Sequence, residues 1–115
     1  MTQLLENDTR YSQLQVNALL LNRYQNGQDS MGAHNDLNTC MHPSYLIASI
    51  SLGACRRFVF QQIDTNEKTS IYLPSGSLLL MLGKEIQEQY IHGLPKTTIC
   101  MDERWNLNFR LHKYL

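Results

Sequence analysis

The stretch RWNLNFR, Arg104 to Arg110, decides the fold, because its side chains alternate without a break. Residues two apart share one face of a β-strand. Arg104, Asn106, Asn108 and Arg110 therefore form one face, and Trp105, Leu107 and Phe109 form the other. The polar face has two readings. It can meet solvent, as one face of an antiparallel sheet often does. Or it can grip a small diacid, since Arg forks bind carboxylates through two parallel hydrogen bonds. Strand rise separates Arg104 and Arg110 by about 20 Å at most, so a shared diacid requires the strand to curve around it.

Upstream, strand signals repeat. Apolar, aromatic or β-branched runs cover 16–24 (VNALLLNRY), 45–53 (YLIASISLG), 56–63 (RRFVFQQI), 69–73 (TSIYL), 77–82 (SLLLML) and 87–93 (QEQYIHG). Gly, Pro, Asn or Asp separates them, which is the spacing of a β-sandwich or barrel. SLLLML is too short to read as a helix and sits between Gly76 and Gly83. EKTSIYLPSGS reads as two strands joined by a tight turn. Pro95 is expected to end the strand that carries His92. Little helix is expected, apart from the end of a short one around Leu4 and Leu5. With 115 residues the chain reads as a single domain spanning 1–115.

Composition narrows the function. Ten basic and ten acidic residues cancel, so attraction to nucleic acid needs a local patch. Arg56 and Arg57, with Lys96, are the candidates for one, against the reading of ordinary surface charge. Three cysteines, Cys40, Cys55 and Cys100, form no C-x-x-C pair and read as reduced thiols. No run approaches the ~18 apolar residues of a membrane span. MTQLLENDTR does not read as a secretory signal. An intracellular monomer, cytoplasmic or nuclear, is expected.

His34 and Asp36 are two residues apart, and on a strand they would share a face. An imidazole beside a carboxylate is a good bite for a divalent metal, and His92 in QYIHG is the candidate third ligand. Two His and one carboxylate leave three positions open, as in non-haem Fe(II) oxygenases. A lone His-x-Asp is more often a solvated turn pair. His42 and His112 read as surface residues, and the soft thiol of Cys40 suits iron poorly. Asn22 and Tyr24 in NRY again share a face and can add neutral hydrogen bonds to a carboxylate. Ser49 and Ser51 have no G-x-S-x-G around them and read as plain sheet residues.

Together these blocks resemble the AlkB family of Fe(II)- and 2-oxoglutarate-dependent dioxygenases. The resemblance runs in order through N-x-L-L-x-N-R-Y, G-Q-D-S-M-G-x-H-x-D, I-A-S-I-S-L-G-A-x-R-R-F, G-S-L-L-x-M, H-x-x-P-K and R-x-N-L-x-F-R, most of the chain. It is closest to the branch that repairs alkylated DNA. It implies a mainly β fold, a double-stranded β-helix of the jelly-roll or cupin kind. It implies that His34, Asp36 and His92 bind iron. Arg104 would pair with the distal carboxylate of 2-oxoglutarate, helped by Asn22 and Tyr24, and Arg110 would sit near the chelating carboxylate with Asn106. Fe(II), 2-oxoglutarate and O2 would be the cofactor and cosubstrates. N-alkylated bases in nucleic acid, DNA ahead of RNA, would be dealkylated, releasing succinate, CO2 and an aldehyde.

The chain also departs from that pattern. Relatives usually read G-W-H-S-D-D-E where this chain reads G-A-H-N-D-L-N, so Leu37 replaces an acid that helps contact the target base. Ser75 stands where relatives often have His. On this resemblance the N-terminal elements that form a lid over the nucleotide are expected to be mostly missing, and Met1 would fall inside the last helix before the core. The rival readings are therefore an oxygenase of a protein or small molecule, and a catalytically impaired core.

Overall fold

The computed structural model describes residues 16–99 and 102–113. The expected helix at Leu4 and Leu5, and Cys100, lie outside them. Among the described residues are eight strands and one short helix: β1 (Ala18–Tyr24), β2 (Met31–His34), β3 (Ile47–Gly53), β4 (Arg56–Gln62), β5 (Lys68–Leu73), β6 (Leu78–Met81), α1 (Lys84–Gln89), β7 (Tyr90–Leu94) and β8 (Arg104–Arg110). No helix among them is long and apolar enough to cross a membrane.

The strands form two four-stranded sheets. The first has the order β1-β8-β3-β6 and the second β2-β7-β4-β5. Every strand pairing is antiparallel. The chain crosses between sheets at nearly every connection, which is the winding of a double-stranded β-helix. Such crossing brings sequence-distant strands into register. Asn22 lies opposite Asn106 and Tyr24 opposite Arg104 on the β1–β8 ladder.

The tight turn expected in LPSG does join two strands, β5 of the second sheet and β6 of the first. Ser77 N–H donates to Pro74 O at 3.0 Å, and Gly76 has φ 84°. Two expectations need correction. QEQYIHG is not all strand, since α1 runs to Gln89 before β7 begins. Arg56 does not belong to a surface patch. It is buried and donates to the carbonyls of Asn26, Asp29 and Pro95, tying two loops to β4. β7 does end at Leu94, just before Pro95.

The alternation of RWNLNFR is present, but its polar face points inward. Arg104, Asn106 and Asn108 are buried, whereas Trp105 on the opposite face is 36% exposed. The solvent reading of that face is therefore overturned. The apolar core accounts for this arrangement. Met41, Tyr45, Ile47 and Met81, with Phe60 and Ile86, form a small cluster that leaves part of the inter-sheet space to polar side chains.

Candidate active site

The histidines meet because β2 and β7 pair. His34 lies directly opposite His92, with ring centroids 4.6 Å apart. Gly93 permits this approach, because a Cβ there would stand 2.8 Å from Met31 O and 3.1 Å from Ala33 N. His92 is also walled by Phe58 and Phe60, at 5.5 and 6.0 Å between centroids.

Asp36 lies two residues beyond the end of β2, so the shared-face argument does not apply to it. A loop delivers it instead. Its backbone N–H donates to Gln87 Oε1 on α1 at 2.8 Å. Its carboxylate lies 3.0 Å from His92 Nε2, 3.7 Å from His34 Nε2 and 3.3 Å from Arg110 Nη2. Potential ligand atoms of His34, Asp36 and His92 all fall within 4.8 Å of one another. Burial pushes the Asp36 pKa up, but the His92 hydrogen bond and the charges of Arg110, His92 and His34 outweigh it, and the net shift is downward. His34 Nδ1 donates to Gly32 O at 2.8 Å, which turns Nε2 toward Asp36.

The other half of the site comes from β1 and β8. Arg104 Nη2 donates to Ser51 Oγ at 2.9 Å, and its guanidinium carbon lies 5.2 Å from the Tyr24 ring centroid. Burial raises the Tyr24 pKa, against the pull of Arg104 and Arg56, so the phenol stays a neutral donor. Burial lowers the Arg104 pKa, with Tyr24 opposing. Asn106 Nδ2 donates to Ser49 Oγ at 2.7 Å and Ile50 O at 3.2 Å, while Asn108 donates to Asn106. A single cavity of about 160 Å³ is lined by all eight residues picked out in the sequence: Asn22, Tyr24, His34, Asp36, His92, Arg104, Asn106 and Arg110.

The sequence pattern of the 2OG-Fe(II) oxygenase superfamily matches residues 1–110. The chain belongs to that superfamily. Within it the chain is AlkB-like. It is 37% identical over 102 residues to human DNA oxidative demethylase ALKBH2, covering 82% of this chain and 39% of that protein. It is 33% identical over 115 residues to bovine alpha-ketoglutarate-dependent dioxygenase alkB homolog 3, covering 92% of this chain and 39% of that one. The chain thus spans about 39% of the length of these curated relatives. The solved structure of OsALKBH1 shares the fold, with TM-score 0.67 and 22% identity, over 96% of this chain and 58% of that one.

Membership in the 2OG-Fe(II) oxygenase superfamily implies Fe(II) and 2-oxoglutarate, and the donor set fits both. Two imidazoles and a carboxylate suit Fe(II). For an anionic cosubstrate, the fit lies in unmet donors. The buried Nε–H groups of Arg104 and Arg110, both lining the cavity, have no partner among the described residues. Buried polar groups are normally bonded, and a carboxylate is the natural acceptor for a guanidinium.

Sequence reasoning missed three supporting residues. Gln87, fully buried, anchors the Asp36 backbone. Ser49 and Ser51 are indeed sheet residues, but they fix Asn106 and Arg104. The alternation of ASISLG already placed both serines on one face, and the β3–β8 ladder makes that face the cavity side. His42 and His112 do not line the cavity, and Cys40 lies outside the cluster.

Proposed function

We propose that this chain is the core of an Fe(II)- and 2-oxoglutarate-dependent oxygenase that removes N-alkyl groups from bases in nucleic acid, acting as a monomer. The observation that carries the reading is the convergence of three metal-type ligands and two under-bonded guanidiniums on one cavity. DNA is favoured over RNA because the names of four relatives, in human, mouse, cattle and Arabidopsis thaliana, specify DNA.

His34, Asp36 and His92 would hold Fe(II). Arg104, with the neutral Tyr24 phenol and the Asn22 amide across the ladder, would take the distal carboxylate of 2-oxoglutarate. Arg110, already at Asp36, would sit toward the chelating end, near Asn106. When bound, iron, 2-oxoglutarate and O2 would supply the oxidation, giving succinate, CO2 and, from an N-methyl group, formaldehyde. The chain's own part is orientation. Ser51 and Ser49 hold the diacid-binding side chains, Gln87 holds the Asp36 loop, and Phe58 and Phe60 wall off His92.

A second substrate class has one observation in its favour. Leu37, where relatives carry an acid, is exposed and does not line the cavity. The test is succinate release with and without a single-stranded oligonucleotide bearing 1-methyladenine. Stimulated turnover with formaldehyde supports dealkylation. Turnover that the oligonucleotide leaves unchanged supports the second class.

A further inference from the structure

We propose that Arg56 is a positioning residue for the cosubstrate: acting through Tyr24, it adds a second buried positive charge beside the distal end of the diacid site. The inference rests on the 2-oxoglutarate reading above and assigns part of that site to a residue outside the cavity.

Arg56 opens β4 in the second sheet, whereas Tyr24 and Arg104 lie opposite each other on β1 and β8 in the first. Its side chain reaches across. The Arg56 guanidinium carbon lies 5.8 Å from the Tyr24 ring centroid, over the same ring that Arg104 approaches at 5.2 Å. All three side chains are buried. A cation over an aromatic ring is held more strongly when both are desolvated. One phenol is therefore fixed by guanidiniums from both sheets. Tyr24 and Arg104 line the cavity and Arg56 does not, so Arg56 can reach a bound diacid only through them.

Charge is the second observation. Among the described residues no ion pair includes Arg56 or Arg104. Arg56 donates through its Nη groups to neutral carbonyls, of Asn26, Asp29 and Pro95, and its Nε–H, like that of Arg104, has no partner there. Neutral acceptors bond a cation but leave its charge uncompensated, and a buried charge without a counterion is costly. Burial lowers the Arg104 pKa and the charge of Arg56 adds to that, against Tyr24. An anion at the Tyr24 end of the cavity relieves both arginines at once. The carbonyl bonds also hold the chain just after Tyr24 and just after β7, so Arg56 could be a loop clamp and nothing more. The two roles differ in what they predict. A clamp loosens the whole site, whereas a positioning charge matters only to a ligand with a distal carboxylate.

The test is calorimetric binding of 2-oxoglutarate and of oxalate to the Mn(II)-loaded protein, with thermal unfolding recorded alongside. Oxalate has a chelating end and no distal carboxylate. Arg56→Gln is expected to weaken 2-oxoglutarate about tenfold and oxalate less than about twofold. Arg56→Lys keeps the charge and loses the fork. It is expected to hold 2-oxoglutarate within about threefold of wild type while its Tm falls. In a Tyr24→Phe background the loss from Arg56→Gln should shrink to about twofold, as for residues that act through one group. Unchanged 2-oxoglutarate affinity in Arg56→Gln overturns the proposal, and so does an equal loss for oxalate. Should Arg56→Gln not fold, Arg56→Lys decides alone, because a clamp predicts that it loses both ligands. A wild type that binds oxalate but not 2-oxoglutarate overturns the cosubstrate reading itself and this role with it. Failure confined to the Arg56 variants leaves that reading standing.

Discussion

Asp36 is held from four elements at once: His34 on β2, His92 on β7, Arg110 on β8 and Gln87 on α1. Asp36→Ala should lower Mn(II) affinity by more than ~100-fold, beyond the usual loss from removing a supporting group, as titration calorimetry can read. Its pH behaviour follows from a pKa that is lowered in the fold. A lowered carboxylate pKa stabilises the native state above the ordinary carboxylate value, and the benefit is lost as pH falls through the folded value. The metal-free wild type should therefore be more stable than Asp36→Asn at neutral pH, with the difference in Tm closing below about pH 4. A difference that persists in acid would contradict that assignment. Arg104→Ala should raise the 2-oxoglutarate KM by roughly 10- to 100-fold, since a hydrogen bond to a charged group contributes about 1.5–3 kcal/mol. Steady-state kinetics with succinate readout would show it. At this scale the sequence was informative about charged groups: every His, Asp and Arg it singled out for the site lines the cavity. Gln87, Ser49 and Ser51 were silent, because a neutral amide or hydroxyl gains meaning only from a partner far along the chain.

At the scale of elements, α1 and Gly93 do the positioning. α1 has six residues and no side-chain cap, so its contribution lies in where it places Gln87 and not in intrinsic helix stability. Gln87→Leu keeps the volume and removes the bond to Asp36 N–H. Metal affinity should drop by about 10- to 100-fold while the 2-oxoglutarate KM changes little. Equal losses in both would point to general loosening instead. Gly93→Ala should force β2 off β7 and weaken metal binding as well, since its Cβ meets β2 backbone with no flexible side chain to yield. Strands were legible where alternation was long, as in β3, β4 and β8. β2 and α1 were not, because four and six residues carry too little period to read. The LPSG turn was legible, but a tight turn has the same local chemistry whether it closes a hairpin or crosses between sheets.

At the scale of the whole molecule, the cavity lies between the two sheets. Asn22, Tyr24, Arg104 and Arg110 come from the first sheet, His34 and His92 from the second. The apolar cluster that also lies there is small. Ligands bound in the cavity should thus fasten one sheet to the other. At about 100 times Kd a ligand stabilises the native state by about 2.7 kcal/mol. For a domain of this size that raises Tm by roughly 10 °C. Mn(II) with 2-oxoglutarate should produce such a shift in the wild type and a much smaller one in Arg104→Ala, measured by scanning calorimetry. The sandwich class was readable from many short strands between turn residues. The inward polar face of β8 was not, because alternation states that two faces differ and leaves open which one is buried.

The most direct test of the cavity as an iron and 2-oxoglutarate site is anaerobic titration of the wild type with Fe(II) and 2-oxoglutarate, followed by visible absorption. A charge-transfer band that requires both additions, is lost in Asp36→Ala and needs far more 2-oxoglutarate in Arg104→Ala is the predicted result. A folded wild type with no such band, or a band unchanged in Asp36→Ala, would contradict it.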